Sequence, residues 1–102
     1  MNRYDAFVTR TTHAVLDASG AIEPKTRWAI FHRRLEDVPA ALAGYVAKVR
    51  DEAWKITDED VAALRGAGYS EDAIFEATAS AALGAALARL ERGLIASHDA
   101  TR

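Results

Sequence analysis

The 102-residue sequence contains no cysteine, only two prolines and one methionine, and aromatic residues make up just 8% of it. The lack of cysteine excludes disulfides, thiolate metal ligands and every thiol-based mechanism within this chain. Neither sign of charge dominates, because 13 Lys and Arg residues stand against 15 Asp and Glu residues. Since no basic stripe is available to neutralise phosphates, we expect no nucleic-acid partner.

Long apolar runs are also missing. The least polar run, residues 77–88, is about 12 residues of mostly alanine, whereas a membrane-spanning helix needs roughly 20. The first ten residues include Arg3, Asp5 and Arg10 and no apolar core of signal-peptide length. We therefore expect no membrane partner and a cytoplasmic location.

Alanine is abundant instead. The sequence has 23 alanines, and half of all residues are hydrophobic, which is enough for one domain spanning residues 1–102 with a small core. Each alanine favours helix but buries little area, so a lone chain covers its apolar surface poorly. This composition favours a homo-oligomer.

Apolar residues recur with the 3.6-residue period of a helix in five segments, and no segment alternates as a strand would. The sequence predicts an all-α fold with short connections. We place the five helices at about residues 4–18, 24–35, 39–54, 58–65 and 71–97. The boundaries between the first three rest on turn and capping residues: Ser19 with Gly20 as a left-handed stop, Pro24 and Pro39 in first turns, and Asp37 or Val38 as a cap.

Two well-marked helix starts follow. Thr57 and Asp60 fit a capping box, and Ser70 fits the cap of the last helix, after a stop at residues 66–68. The last helix is about 40 Å long at 1.5 Å per residue, more than a small domain needs. It has two apolar faces: a leucine seam (Leu83, Leu87, Leu90 and Leu94) and a small-residue face (Ala77, Ala81, Gly84, Ala85 and Ala88). Both faces require partners, which again indicates oligomerisation.

The later part of the chain resembles a known family. The segments ITDEDV at 56–61, LR at 64–65 and AGYSEDAI at 67–74 are followed by an alanine-rich helix that reaches RL at 89–90. Their order and spacing resemble the later half of the AhpD-like proteins, the carboxymuconolactone decarboxylase superfamily, over roughly residues 45–95. The resemblance implies an all-helical fold that assembles into dimers, trimers or hexamers through long helices.

The chemistry of that family is not retained. Its peroxidase members carry Cys-x-x-Cys on a helix with a nearby histidine and glutamate, and this chain has no cysteine. Many relatives also show Asn-x-x-Asn-Arg on the last helix, where this chain has Ala85, Ala88 and Arg89. Residues 1–44 match the family only in being helical. We therefore expect no thiol peroxidase activity.

Three side chains are candidates for proton transfer or binding in a pocket. Glu76 begins the least polar part of the chain, so if it faces inward it must be paired or protonated and could act as a general acid or base. Alternatively, Glu76 is an exposed glutamate in the first turns of a helix and has no role in chemistry. His32, one turn after Trp28, could complete an aromatic and imidazole wall, or Trp28 could be core and His32 a helix-end residue.

The remaining candidates are weaker. Arg89 could bind a carboxylate, or form an ion pair with an acid inside the chain or across a subunit interface. His13 lies in a polar run and His98 in a tail. The histidines are far apart, and Asp58, Glu59 and Asp60 fan round a helix, so we expect no metal site. No motif indicates a cofactor.

Two main hypotheses result. The first is a non-redox AhpD-like protein that acts as a homo-oligomeric structural or interaction module, with a cysteine-bearing relative as another partner. The second is a decarboxylase-like enzyme or a binder of a small organic acid that uses Glu76, His32 or Arg89. A helix-turn-helix DNA binder built on residues 58–80 is disfavoured, because its second helix opens with acidic and apolar residues.

Overall fold

A computed structural model describes residues 3–100, apart from the side chains of Tyr4 and of residues 98–100, so the interpretation of His98 lies outside the described side chains. The described residues form five α-helices: α1 (Arg3–Asp17), α2 (Pro24–Phe31), α3 (Ala40–Glu52), α4 (Asp58–Gly66) and α5 (Glu71–Ala100). Short 3-10 turns occupy Leu35–Asp37 and Ala53–Lys55. Residues 3–100 contain no strand, which confirms the predicted all-α class and the long C-terminal helix.

Helix α2 is shorter than predicted, since it ends at Phe31 and not near residue 35. Arg33 takes a left-handed conformation with φ of 61°. Its N–H bonds to the carbonyl of Ile30, and the next N–H, that of Arg34, bonds to Ala29, at 3.1 and 2.8 Å. This pair of hydrogen bonds is the Schellman ending, which usually has glycine at the left-handed position. The sequence does not mark this end of α2, because the apolar periodicity continues through Leu35 and an arginine, not a glycine, occupies the left-handed position.

Two other predicted boundary signals are wrong. Gly20 does not take a left-handed conformation, because Gly68 is the only glycine in residues 3–100 with a positive φ. Helix α3 is capped by Pro39, and neither Asp37 nor Val38 has that position. The extended backbone of Pro39 is suited to a cap without any side-chain hydrogen bond, so the helix begins one residue later than its sequence signal.

The junction between α4 and α5 follows the sequence closely. Thr57 and Asp60 form the predicted capping box, and Ser70 Oγ accepts a hydrogen bond from the N–H of Ala73 at 3.1 Å. Gly68 ends α4 with φ of 99°, and the N–H of Tyr69 bonds to the carbonyl of Leu64 at 3.1 Å. The two helices therefore meet at an angle that local hydrogen bonds determine.

The core lies where α5 crosses α2 and α3. Ala77 and Ala81 on the small-residue face are only 0% and 1% exposed, and they pack with the most buried residues of α2 and α3: Ile30, Leu42 and Val46. The chain therefore covers this face by itself. The expectation that the small-residue face receives a second subunit is wrong.

Gly84 is the point of closest approach between α5 and α2. A Cβ atom at this position would lie 2.4 Å from the carbonyl oxygen of Phe31 and 2.6 Å from Nη1 of Arg50. Gly44 in α3 differs, because a Cβ there would meet nothing within 4 Å. Gly84 is thus required by packing, whereas Gly44 is a tolerated weak point in its helix.

These two glycines give opposite predictions for the same substitution. We expect Gly84→Ala to lower the free energy of unfolding by about 1–3 kcal/mol, because the new methyl group must displace a backbone carbonyl. We expect Gly44→Ala to raise it by about 0.5–1 kcal/mol, because alanine favours helix and the space is open. Urea unfolding followed by circular dichroism measures both, and equal effects of the two substitutions would contradict the packing described here.

Candidate functional site

Glu76 is half-buried and faces the loop between α1 and α2. Its carboxylate accepts hydrogen bonds from the backbone N–H groups of Ala21 and Ile22, at 2.9 and 2.8 Å. A Cβ on Gly20 would lie 2.6 Å from the same carboxylate, so glycine makes room for it. Glu76 is therefore inward and paired, and it ties the loop to α5.

The predicted candidates do not converge on one site. Glu76 and Arg89 are 13 positions apart on α5, which separates them by about 20 Å along the helix axis. His32 lies beside Arg50 in a groove at the α2 end. Arg89 is on the same side of the molecule, where its Nη2 donates to the carbonyl of Arg50 at 3.5 Å. The structure thus brings His32 and Arg89 to the neighbourhood of Arg50 and leaves Glu76 elsewhere.

Trp28 is the centre of a small aromatic cluster. Its indole ring stacks on His32 at a centroid distance of 5.6 Å and meets His13 edge-on at 5.1 Å. The predicted proximity of Trp28 and His32 is therefore present, although His32 is exposed and caps the end of α2. His13 joins them from α1.

Asp17 organises this cluster through two hydrogen bonds. It accepts one from Trp28 Nε1 at 2.5 Å, and its other oxygen lies 2.6 Å from Nδ1 of His13. The hydrogen bond from Trp28, and after it the one with His13, holds the pKa of Asp17 below its usual range. A carboxylate at Nδ1 orients the imidazole ring of His13 and favours the tautomer with its proton on Nδ1.

Arg50 lies at the end of α3 among other cations. Its Nη1 donates to the carbonyl of Phe31 at 3.0 Å, while Arg33 pairs with Asp51 through a 2.7 Å contact. Burial, followed by repulsion from Arg33, lowers the pKa of Arg50, and Arg89 and Arg92 contribute further repulsion. The last carbonyl groups of α2 and α3 have no partner within their helices, and guanidinium groups can donate hydrogen bonds to them.

Two grooves border these groups. The larger, of about 580 Å³, lies between α1, α2 and α5 and includes His13 and Trp28 in its wall. The smaller, of about 320 Å³, includes His32 and Arg50. Both have sizes typical of sites for small molecules.

A third feature is an apolar surface on the other side of α1. The groove there is lined almost entirely by apolar atoms, from Phe7 and Val8 on α1 to Leu83 and Leu90 on α5. Phe75 continues the surface towards the start of α5 and is 72% exposed. Such a surface is larger than scattered exposed hydrophobic residues and indicates a site of contact with another molecule.

Within the described residues, no group of three or more His, Asp or Glu side chains could hold a metal ion. By length and composition, Glu71–Ser97 could cross a membrane, since an 18-residue window has a mean hydropathy of 1.3. The core helix of a soluble protein has the same properties, and 39% of this window is buried inside the chain. The expectation of no membrane partner stays a prediction.

Comparison with family models, curated proteins and solved structures finds no match to this chain. The likeness to AhpD-like proteins therefore rests on the segments between residues 45 and 95 alone. It stays a prediction.

The sequence did not single out Asp17, Arg50 or Glu91 as residues of the site. Asp17 is four positions after His13 on α1, so helical spacing could have paired them. Arg50 and Glu91, which line the same groove, come from α3 and α5 and are 41 positions apart. Only the tertiary fold brings these two together.

Glu76 is expected to be a stability determinant of the loop between α1 and α2. We expect Glu76→Gln to lower the free energy of unfolding by about 1–2 kcal/mol, because an amide offers two backbone N–H groups one acceptor and no charge. Glu91→Gln on the same helix is the matched control, since the exposed Glu91 has no hydrogen bond to any described residue. Chemical denaturation of both variants measures this. Equal losses would show that the loop contacts do not matter.

The lowered pKa of Asp17 predicts a pH-dependent contribution to stability. A depressed folded-state pKa stabilises the fold above the ordinary aspartate pKa of about 3.9, and the contribution is lost as the pH falls through the folded value. We expect the melting temperature of Asp17→Asn to lie below that of the wild type at neutral pH and to approach it on acidification. Scanning calorimetry between neutral pH and about pH 2 measures the gap. A gap that does not change with pH would contradict this assignment.

Proposed function

We propose that this chain is a non-redox AhpD-like helical protein that acts as a homo-oligomeric structural or interaction module. A second copy of the chain covers the apolar surface formed by α1 and α5. We call this surface the α1/α5 face and define it by its outward residues: Phe7 and Val15 on α1, and Phe75, Ala79, Ala82, Ala86 and Leu90 on α5. That face is the observation that carries the proposal.

The two helices of the face run antiparallel. Val15, late in α1, shares a groove with Phe75 and Ala79, early in α5. Phe7, early in α1, shares one with Leu90, late in α5. The face thus extends along most of α1, and its large side chains are strongly exposed, with Phe7 59% accessible. Burying them in a partner releases water from apolar surface that α1 and α5 leave uncovered.

The order of residues along α5 is suited to a copy of itself. Phe75 and Leu90 are 15 positions apart, or about 22 Å, and Ala79, Ala82 and Ala86 lie between them. When two α5 helices pack antiparallel about a twofold axis near Ala82, each Phe75 meets the partner's Leu90 and the alanines allow close approach at the centre. A pattern of large ends and a small middle is therefore self-complementary.

Charge favours the same arrangement. Glu71 and Asp72 lie in the first turn of α5, whereas Arg89 and Arg92 lie near its other end. Antiparallel pairing places the acidic turn of one helix beside the basic end of the other. Parallel pairing would place like charges together. This supports the expected ion pair of Arg89 across a subunit interface, although exposed pairs contribute little energy and mainly select orientation.

The second hypothesis, a decarboxylase-like enzyme or acid binder, has less support. It requires Glu76 to share a pocket with His32 or Arg89, and Glu76 instead holds the loop between α1 and α2. Redox chemistry by a thiol is excluded within this chain, which has no cysteine. The cytoplasmic location stays a prediction.

The proposed interface is tested by two substitutions and their combination. We expect Phe75→Glu or Leu90→Lys to weaken self-association by at least about 100-fold, because each removes two buried contacts per dimer. The double substitution should recover part of the affinity, because each new carboxylate then faces a new ammonium group of the partner. Sedimentation equilibrium or light scattering after size-exclusion chromatography measures this.

Trp54→Glu provides the matched control. Trp54 is 78% exposed and follows α3, outside the α1/α5 face, so its substitution should leave self-association unchanged. A wild-type chain that stays monomeric at micromolar concentration would overturn the proposal. If an oligomer forms only with a cysteine-bearing relative, the α1/α5 face is still the interface, but the relative covers it in place of a second copy of the chain. Failure of the double substitution to recover affinity would exclude the antiparallel register.

A further inference from the structure

The two grooves beside Trp28 and Arg50 form one cleft. They share three lining residues, namely Phe31, Leu87 and Glu91. One end of this cleft has the rings of Trp28 and Phe31 in its wall, together with Asp5 and His13, and the other end has Arg50. The apolar groove of the α1/α5 face lies on the other side of α1 and adjoins the larger groove, with which it shares Val8, Thr12 and Leu87.

Opposite charges line the Arg50 end of the cleft without meeting. Arg50 and Glu91 both border the smaller groove, yet none of the ion pairs among the described residues joins them. Arg50 has five N–H donors and uses one of them on the carbonyl of Phe31. A planar guanidinium with remaining donors is suited to a carboxylate, and an unengaged carboxylate is suited to an ammonium group.

The other end of the cleft provides a surface for an apolar group. Phe31 and Trp28 meet edge-on at a centroid distance of 5.7 Å, and Leu87 lies beside them in the larger groove. Trp28 is held in place by its hydrogen bond to Asp17, so the ring is positioned before any ligand arrives. A flat or bulky apolar group gains contact there at little cost in side-chain order.

We propose that this cleft binds a small zwitterion, an α-amino acid with a large apolar or aromatic side chain. Arg50 takes the carboxylate, Glu91 takes the ammonium group, and the side chain lies against Phe31, Trp28 and Leu87. This arrangement uses the two opposite charges that line the smaller groove. A simple organic acid would leave Glu91 facing an anion, and a simple amine would leave Arg50 facing a cation.

Three probes with the same ring test the assignment: L-phenylalanine, 3-phenylpropionate and 2-phenylethylamine. The chain has two tryptophans, so the indole N–H signals of Trp28 and Trp54 are separate reporters in an NMR titration. We expect L-phenylalanine to shift the Trp28 signal saturably, with a dissociation constant of about 1 mM or lower. The other two probes should bind at least about tenfold more weakly, because each lacks one charged contact.

Two variants identify the groups responsible. Glu91→Gln should weaken L-phenylalanine at least about tenfold and leave 3-phenylpropionate unweakened. Arg50→Gln, after a check of its fold by circular dichroism, should weaken L-phenylalanine and 3-phenylpropionate together. Glu59→Gln on α4, outside the cleft, should change nothing.

No saturable shift of Trp28 by L-phenylalanine, or an equal affinity for all three probes, would overturn the proposal on the wild-type protein alone. An unchanged preference in Glu91→Gln would remove Glu91 from the site. The Phe75→Glu variant changes a residue that lines neither groove of the cleft and should bind L-phenylalanine like the wild type, so failure of the oligomer proposal leaves this result unaffected.

Discussion

The close packing of α5 against α2 and α3 is the constraint on which the rest of the molecule depends. Alanine and glycine on one side of α5 allow the backbones to approach, and Gly84 lies against the carbonyl of Phe31. That contact places the end of α2 where Arg50 can reach it. The cleft and the position of Arg50 therefore both depend on the absence of a side chain at Gly84 of α5.

One helix therefore has three functions in the same structure. Its small-residue face forms the core, its leucines reach α1 and the cleft, and its outward stripe remains uncovered. The Glu76 carboxylate adds a fixed point, since it holds the loop that returns the chain from α1 to α2. The alanine-rich sequence serves packing inside the subunit first, and only the opposite side of the helix is open to a partner.

Much of the fold could be predicted from the sequence, because local signals decide it. The capping box at Thr57, the cap at Ser70 and the left-handed Gly68 act within a few residues. The end of α2 could not be predicted, since Arg33 adopts a conformation that usually selects glycine. The site was less predictable than the fold. The sequence leaves open whether Glu76 is inward or exposed, because its hydrogen-bond partners lie 54 and 55 positions away. The proximity of Arg50 to Glu91 arises only after α3 and α5 have packed.

The outer end of α5 has a consequence for the order in which structure forms. The side chains from Arg89 to Ser97 are exposed, and among the described residues the one hydrogen bond from this segment to another helix is that of Arg89 to the carbonyl of Arg50, so few contacts stabilise it. Helices in water are marginal unless they are packed, and a terminal stretch of this kind frays. Contact with a second copy would supply the missing stabilisation through Leu90. In the proposed oligomer the length of the helix would be linked to protein concentration, and association and the last turns of folding would be a single equilibrium.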